Sequence, residues 1–101
     1  MIVYNITVKV NPEIEREWIQ WQKEEHIPEI LSTQQFVEYK FFKLLNVDES
    51  DGITYVLQFF AEDLYHFNEF ESKYAAELHA KAFTVWGNKF VYFSTIMQVV
   101  H

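Results

Sequence analysis

FVEYKFFKLLNVDESDGITYVLQFF, residues 36–60, is the stretch whose reading decides the fold. Alternating positions and many aromatic or β-branched side chains predict strands over Phe36–Val47 and Ile53–Phe60. Between them lies Asp48-Glu49-Ser50-Asp51-Gly52, a short acidic run closed by one of only 2 glycines, which reads as a turn. The two strands therefore form an antiparallel hairpin. A connection longer than the tightest turns leaves their register open by about one or two residues.

Working outward, each side of the hairpin carries a helix and a strand. Ile2–Val10 alternates cleanly and reads as the first strand. Asn11 is then a good N-cap, and Pro12 suits a first helical position that needs no N–H partner. At 100° per residue, Ile14, Trp18, Trp21 and Glu25 share one helix face, while Arg16, Gln20 and Lys23 lie opposite. Ile27 precedes Pro28 and should leave the α region, so this helix is expected to end near Glu25–His26, with Pro28–Leu31 as a short restart. On the other side, Asp63 caps a second helix. Its inner face holds Leu64, Phe67, Phe70, Glu71, Tyr74, Leu78 and Ala82, and it runs to Trp86 and stops at Gly87. Lys89–Val100 is the last strand. The order is β-α-β-β-α-β, and one domain over residues 1–101 is expected: an α+β, ferredoxin-like unit with two helices on one face of a four-stranded antiparallel sheet.

The helix-facing set is expected to be Tyr4, Ile6, Val8, Tyr39, Phe41, Tyr55, Leu57, Phe59, Phe93 and Met97. The other sheet face mixes polar residues (Asn5, Thr7, Glu38, Lys40, Thr54, Gln58, Ser94, Gln98) with large apolar ones (Val3, Phe36, Phe42, Val56, Phe60, Tyr92, Ile96). Such a face is too apolar for water and too polar for a core, and predicts a homodimer through the sheet. The composition agrees: 10 Phe, 6 Tyr and 3 Trp are many rings for 101 residues, and suggest a second buried surface.

The totals exclude several function classes. With no cysteine there is no disulfide, thiolate metal site or cysteine nucleophile. A net charge of −7 repels phosphate backbones and anionic lipids, so neither nucleic acid nor a membrane surface is an expected partner. RNA-recognition domains share the element order, but the third strand here lacks their preceding basic residue. No apolar run approaches the ~20 residues that span a bilayer, and the N-terminus does not read as a signal peptide, which predicts a cytoplasmic protein.

The segment Trp18…Trp21-Gln-Lys-Glu24-Glu25-His26-Ile27-Pro28-Glu29-Ile-Leu…Phe36 resembles the W-(Y/W)-x-x-E-H-(I/L)-P…GF pattern of the dimeric α+β barrel superfamily. That group includes EthD-like proteins, antibiotic-biosynthesis-monooxygenase-like proteins and small polyketide cyclases. The whole chain is also similar to a family of uncharacterised proteins of about 100 residues that end in F-x-x-W-G-x-x-F, here Phe83 to Phe90. The resemblance implies a dimeric barrel. It also implies that His26 lines a cavity between helices and sheet. Where relatives carry Gly before the Phe of the second strand, this chain has Gln35, which argues against the same tight loop.

His26 is the sharpest candidate for chemistry, as a general acid/base or a polar ligand anchor. Its structural alternative is a helix-end residue that bonds backbone carbonyls and holds the Pro28 turn. Glu25 reads either as a partly buried carboxylate or as a solvated helix end. Trp18 and Trp21, with Tyr4, Tyr39 and Tyr55, read as the wall of a ligand cavity or as ordinary core. His66 and His79 lie about 140° apart on their helix and cannot chelate one ion, so no metal site is expected. No cofactor motif is present: haem-attachment, P-loop and G-x-G-x-x-G patterns are all missing. Two functions fit the sequence. One is a non-catalytic dimer, structural or regulatory, or one that binds a small apolar ligand. The other is a cofactor-free cyclase, isomerase or monooxygenase acting on an aromatic or polyketide-like substrate through His26.

Overall fold

The computed structural model describes residues 1–101. Its elements are β1 (Ile2–Val10), a 3-10 turn (Pro12–Ile14), α1 (Glu15–Trp21), a π-helical turn (Gln22–His26), α2 (Ile27–Ser32), β2 (Glu38–Lys43), β3 (Ile53–Ala61), α3 (Leu64–Lys73), α4 (Ala75–Trp86) and β4 (Phe90–Gln98). The four strands form one sheet in the order β2-β3-β1-β4, with every neighbouring pair antiparallel. This is the ferredoxin-like arrangement: β1 and β3 occupy the centre, and β2 and β4 are the edges.

The caps behave as the sequence indicates. The Asn11 side chain accepts from the Glu13 N–H at 2.8 Å, and the Asp63 side chain accepts from the His66 N–H at 3.0 Å. Gly87 sits at φ +60°, ψ −130°, a backbone region hostile to a Cβ, and ends α4.

Three elements depart from their expected extents. The first helix does not stop at His26. Ile27 stays helical at φ −60°, ψ −48° although Pro28 follows. The π-helical turn before it explains how. Proline has no N–H and crowds the carbonyl four residues back, and a wider turn opens the ladder at that point. β2 is shorter than predicted. Phe36 precedes it and is buried against Tyr4 and Phe70, so it belongs to the core and not to the open sheet face. At the other end the strand stops at Lys43, and Asn46 takes φ +59° in the loop. The second helix is divided. Tyr74 leaves helical geometry at φ −126°, ψ −29°, and α4 turns Ala75, Leu78 and Ala82 inward, while Leu64 is exposed at the start of α3.

The core lies between the sheet and the helices. Tyr4, Ile6, Val8 and Val10 of β1 face it, with Tyr55, Leu57 and Phe59 of β3; Trp18, Ile27, Ile30, Phe67 and Phe70 cover them. In β4 the expected faces are reversed. Val8 pairs with Tyr92, Ile6 with Ser94 and Tyr4 with Ile96, so these β4 residues are on the helix side. Phe93 and Met97 pair with Thr7 and Val3 on the open face. Both faces of β4 carry large apolar residues, so alternation alone does not select one. The pairing of Val10 with Phe90 does.

Candidate functional site

The π-helical turn builds the candidate site. In a regular helix the face holding Trp18 would next carry Glu25. The wider turn delays the phase by about one residue and brings His26 inward instead. Gln22, only 2 % exposed, is inward on the same turn. Glu25 is left on the outside, in an open groove with Glu29, Glu77 and Lys81. It does not share a cavity with Trp18, and the reason is this phase shift.

Between these helices and the sheet lies a cavity of about 40 Å³. Trp18, Leu57, Ile6, Val8, Ala82 and Phe90 give it apolar walls, and Gln22, His26, His79 and Tyr92 give it polar ones. The His26 Nδ1 lies 2.9 Å from Gln22 Oε1. An amide oxygen only accepts, so in the neutral ring Nδ1 carries the proton and Nε2 is left as the acceptor. On its outer side the imidazole stacks on Trp21, with centroids 4.6 Å apart and planes 11° from parallel; Trp21 meets Trp86 edge-on at 5.8 Å. Trp21 is thus a shield over His26 and does not line the cavity.

His79 enters from α4. Its Nε2 is 3.4 Å from the Tyr4 hydroxyl, and its ring lies 5.4 Å from that of Tyr92. Nothing in the residue pattern joins His79 to His26, because they are on different helices. The available signal was weak: His79 adjoins Leu78 on the inward arc of α4. Gln22, one turn after Trp18, carried a clearer signal, namely a polar residue on an apolar face. The other predicted wall residues lie elsewhere. Tyr55 donates to Glu15 Oε2 at 2.6 Å and packs on Trp18, while Tyr39 lies on Phe59 at the exposed β2 edge. Tyr4 is core, reaching the site only through His79.

Electrostatics fix the protonation states. Burial drives the His26 pKa down to about 4; Glu29 opposes this, and His79 adds to it. The ring is therefore neutral at pH 7, with on the order of one molecule in a thousand charged. Burial, helped by Glu71 and Tyr92, pushes the Tyr4 hydroxyl up to about 12. Burial and the bond to Glu15 raise the Tyr55 hydroxyl. No group of three or more His, Cys, Asp or Glu side chains is gathered anywhere in a geometry that would hold a metal ion.

A four-stranded antiparallel sheet in the order β2-β3-β1-β4 with its helices on one face defines a ferredoxin-like protein, and solved structures share that fold. The chain is similar to an EthD family protein from Bacillus halodurans C-125 (TM-score 0.72, 12% identity, 99% of this chain and 100% of that one). It is similar also to a cofactor-independent oxygenase from Streptomyces nogalater (TM-score 0.65, 14% identity, 99% and 93%) and to a dimeric ferredoxin-like protein from an uncultured marine organism (TM-score 0.63, 10% identity, 99% and 96%). By sequence, the chain belongs to the family described as domain of unknown function DUF4286, whose model matches residues 1–100. No match is found among curated proteins. No helix is long and apolar enough to cross a membrane.

Proposed function

We propose that this chain is a non-catalytic homodimeric module, paired through the open sheet face, whose helix–sheet cavity admits only a small, largely apolar molecule or group. The cavity volume carries this reading. Ligand pockets measure roughly 300–1,000 Å³, against about 40 Å³ here. That space suits one or two waters or the head of a ligand. The dimeric relative from a marine organism supports the pairing, as do Phe42, Phe93, Met97 and Val91, all exposed on the open face.

The similarity to a cofactor-independent oxygenase, and the meeting of His26 and His79 at one cavity, favour a second reading as a cofactor-free enzyme. The electrostatics weigh against it. An effective general base titrates near the working pH, and a His26 pKa of about 4 lies well below neutrality. Native mass spectrometry tests both parts. The expected result is a dimer carrying no bound molecule beyond a few heavy atoms. A monomer would overturn the pairing, and an aromatic compound retained at one per chain would overturn the small-cavity reading.

A further inference from the structure

Two apolar edges of the sheet lack cover. In β4, the residues on both faces are exposed from Val91 to Gln98, including the helix-side Tyr92, at 43 %, and Ile96. At the opposite edge, β2 exposes Tyr39 and Phe42, and its hairpin loop exposes Leu44, Leu45 and Val47; Leu45 is 73 % exposed. Face-to-face stacking covers only one face of β4. Its helix-side rings need something that wraps the edge.

The polar residues of the open face select how two copies stack. Lys40, Gln58, Asn5 and Thr95 form one row across the sheet, with Gln58 donating to Asn5 at 3.1 Å. A two-fold axis across the strands would set each β2 on its own copy, bringing Lys40 towards the partner's Lys40 and leaving each edge facing its like. A two-fold axis along the strands sets Lys40 over the partner's Thr95 and Phe42 over the partner's Phe93. It avoids the like-charge contact and brings each β2 edge beside a β4 edge, twice per dimer. It also preserves strand direction. The β2 hairpin leaves the sheet at the end where β4 begins, because Lys43 pairs with Tyr55, Tyr55 with Val8, and Val8 with Tyr92.

We propose that the partner's β2–β3 hairpin, through the partner's Leu44, Leu45 and Val47, packs on Tyr92 and completes the outer wall of the His26–His79 cavity. Each cavity is then a property of the dimer. The inference rests on the sheet-face dimer proposed above, but it fails separately from it.

The test uses a dimer reassembled from isotope-labelled and unlabelled full-length chains, with light scattering on the same sample. Expected are intermolecular NOEs between Leu45 or Val47 methyls and the Tyr92 ring, and a dimer affinity weakened at least tenfold by Leu45→Asp, whose exposed site leaves the single-chain fold intact. A dimer without those NOEs, and unaffected by Leu45→Asp, would overturn the hairpin wall and leave the sheet-face dimer standing. A monomer at micromolar concentration would overturn both.

Discussion

The neutral His26 makes a quantitative statement about acid stability. Its pKa falls from an ordinary 6.5 to about 4 on folding. Between those values the unfolded chain binds a proton that the folded chain does not. Stability therefore falls as pH drops through 6.5, levels off below about 4, and is fully present above 6.5. At 1.36 kcal/mol per pKa unit the full loss is at most about 3 kcal/mol. The perturbation is His26→Phe, which keeps a flat ring for Trp21 to stack on and removes the titration. The assay is urea denaturation at intervals from pH 4 to 8, at one protein concentration so that dimerisation does not confound the comparison. Asp48 and Asp63 have depressed pKa values through their bonds to Ser50 and His66, and they also lose stabilising charge in acid. The informative quantity is thus the difference between wild type and variant, in which those groups cancel. At neutral pH the variant is the less stable, because Gln22 Oε1 forfeits its partner, a cost of about 1–3 kcal/mol. That offset should shrink towards pH 4 by up to about 3 kcal/mol. A parallel pair of curves, or a His26 resonance titrating near 6.5, would refute the reasoning.

Trp18→Ala should cost about 3–5 kcal/mol by urea denaturation, since this side chain is 1 % exposed and packs on Phe41 and Tyr55. A cost below about 1 kcal/mol would mean that the first helix does not dock as described. Phe93→Asp, at a site 63 % exposed on the open face, should leave the circular dichroism spectrum unchanged and shift the light-scattering mass from dimer to monomer. An unchanged dimer would relocate the interface. Gly52→Ala should lower the melting temperature, because a Cβ there lies 2.6 Å from Lys9 Cγ at φ +151°; an unchanged midpoint would show that the Lys9 chain simply moves aside. Glu25→Gln should leave the His26 NMR titration unaltered, since Glu25 sits outside the cavity. A change would place it nearer than described.

Much of the fold was legible because several independent signals coincided. The β1 alternation, the Asn11 and Asp63 caps, the acidic hairpin loop and Gly87 each pointed to the same element order, and each is where that order needs it. What was illegible was the facing of β4. A strand apolar on both sides has no periodic signal to read, and its partner strand decides. The same property makes β4 the strand most in need of a second copy, so the ambiguity in sequence and the exposure in structure have one cause.

The candidate site was half legible for a different reason. Trp18 and His26 line the cavity, Glu25 takes the solvated one of its two readings, and Gln22 and His79 join the site without a sequence signal strong enough to name them. A helical wheel assumes constant rotation per residue, and Pro28 breaks that assumption upstream of itself. The missing N–H and the crowded carbonyl are relieved in the turn before the proline, over Gln22–His26. The residue expected to end the helix instead re-phases it, and the re-phasing carries Glu25 out to water and His26 into the protein. If so, replacing Pro28 by Ala removes the reason for the wide turn. A regular helix would turn His26 outward and raise its pKa towards 6.5, a shift that His26 NMR titration reads directly. A pKa still near 4 in Pro28→Ala would show that packing of Trp21 on His26, and not the proline, holds the turn open.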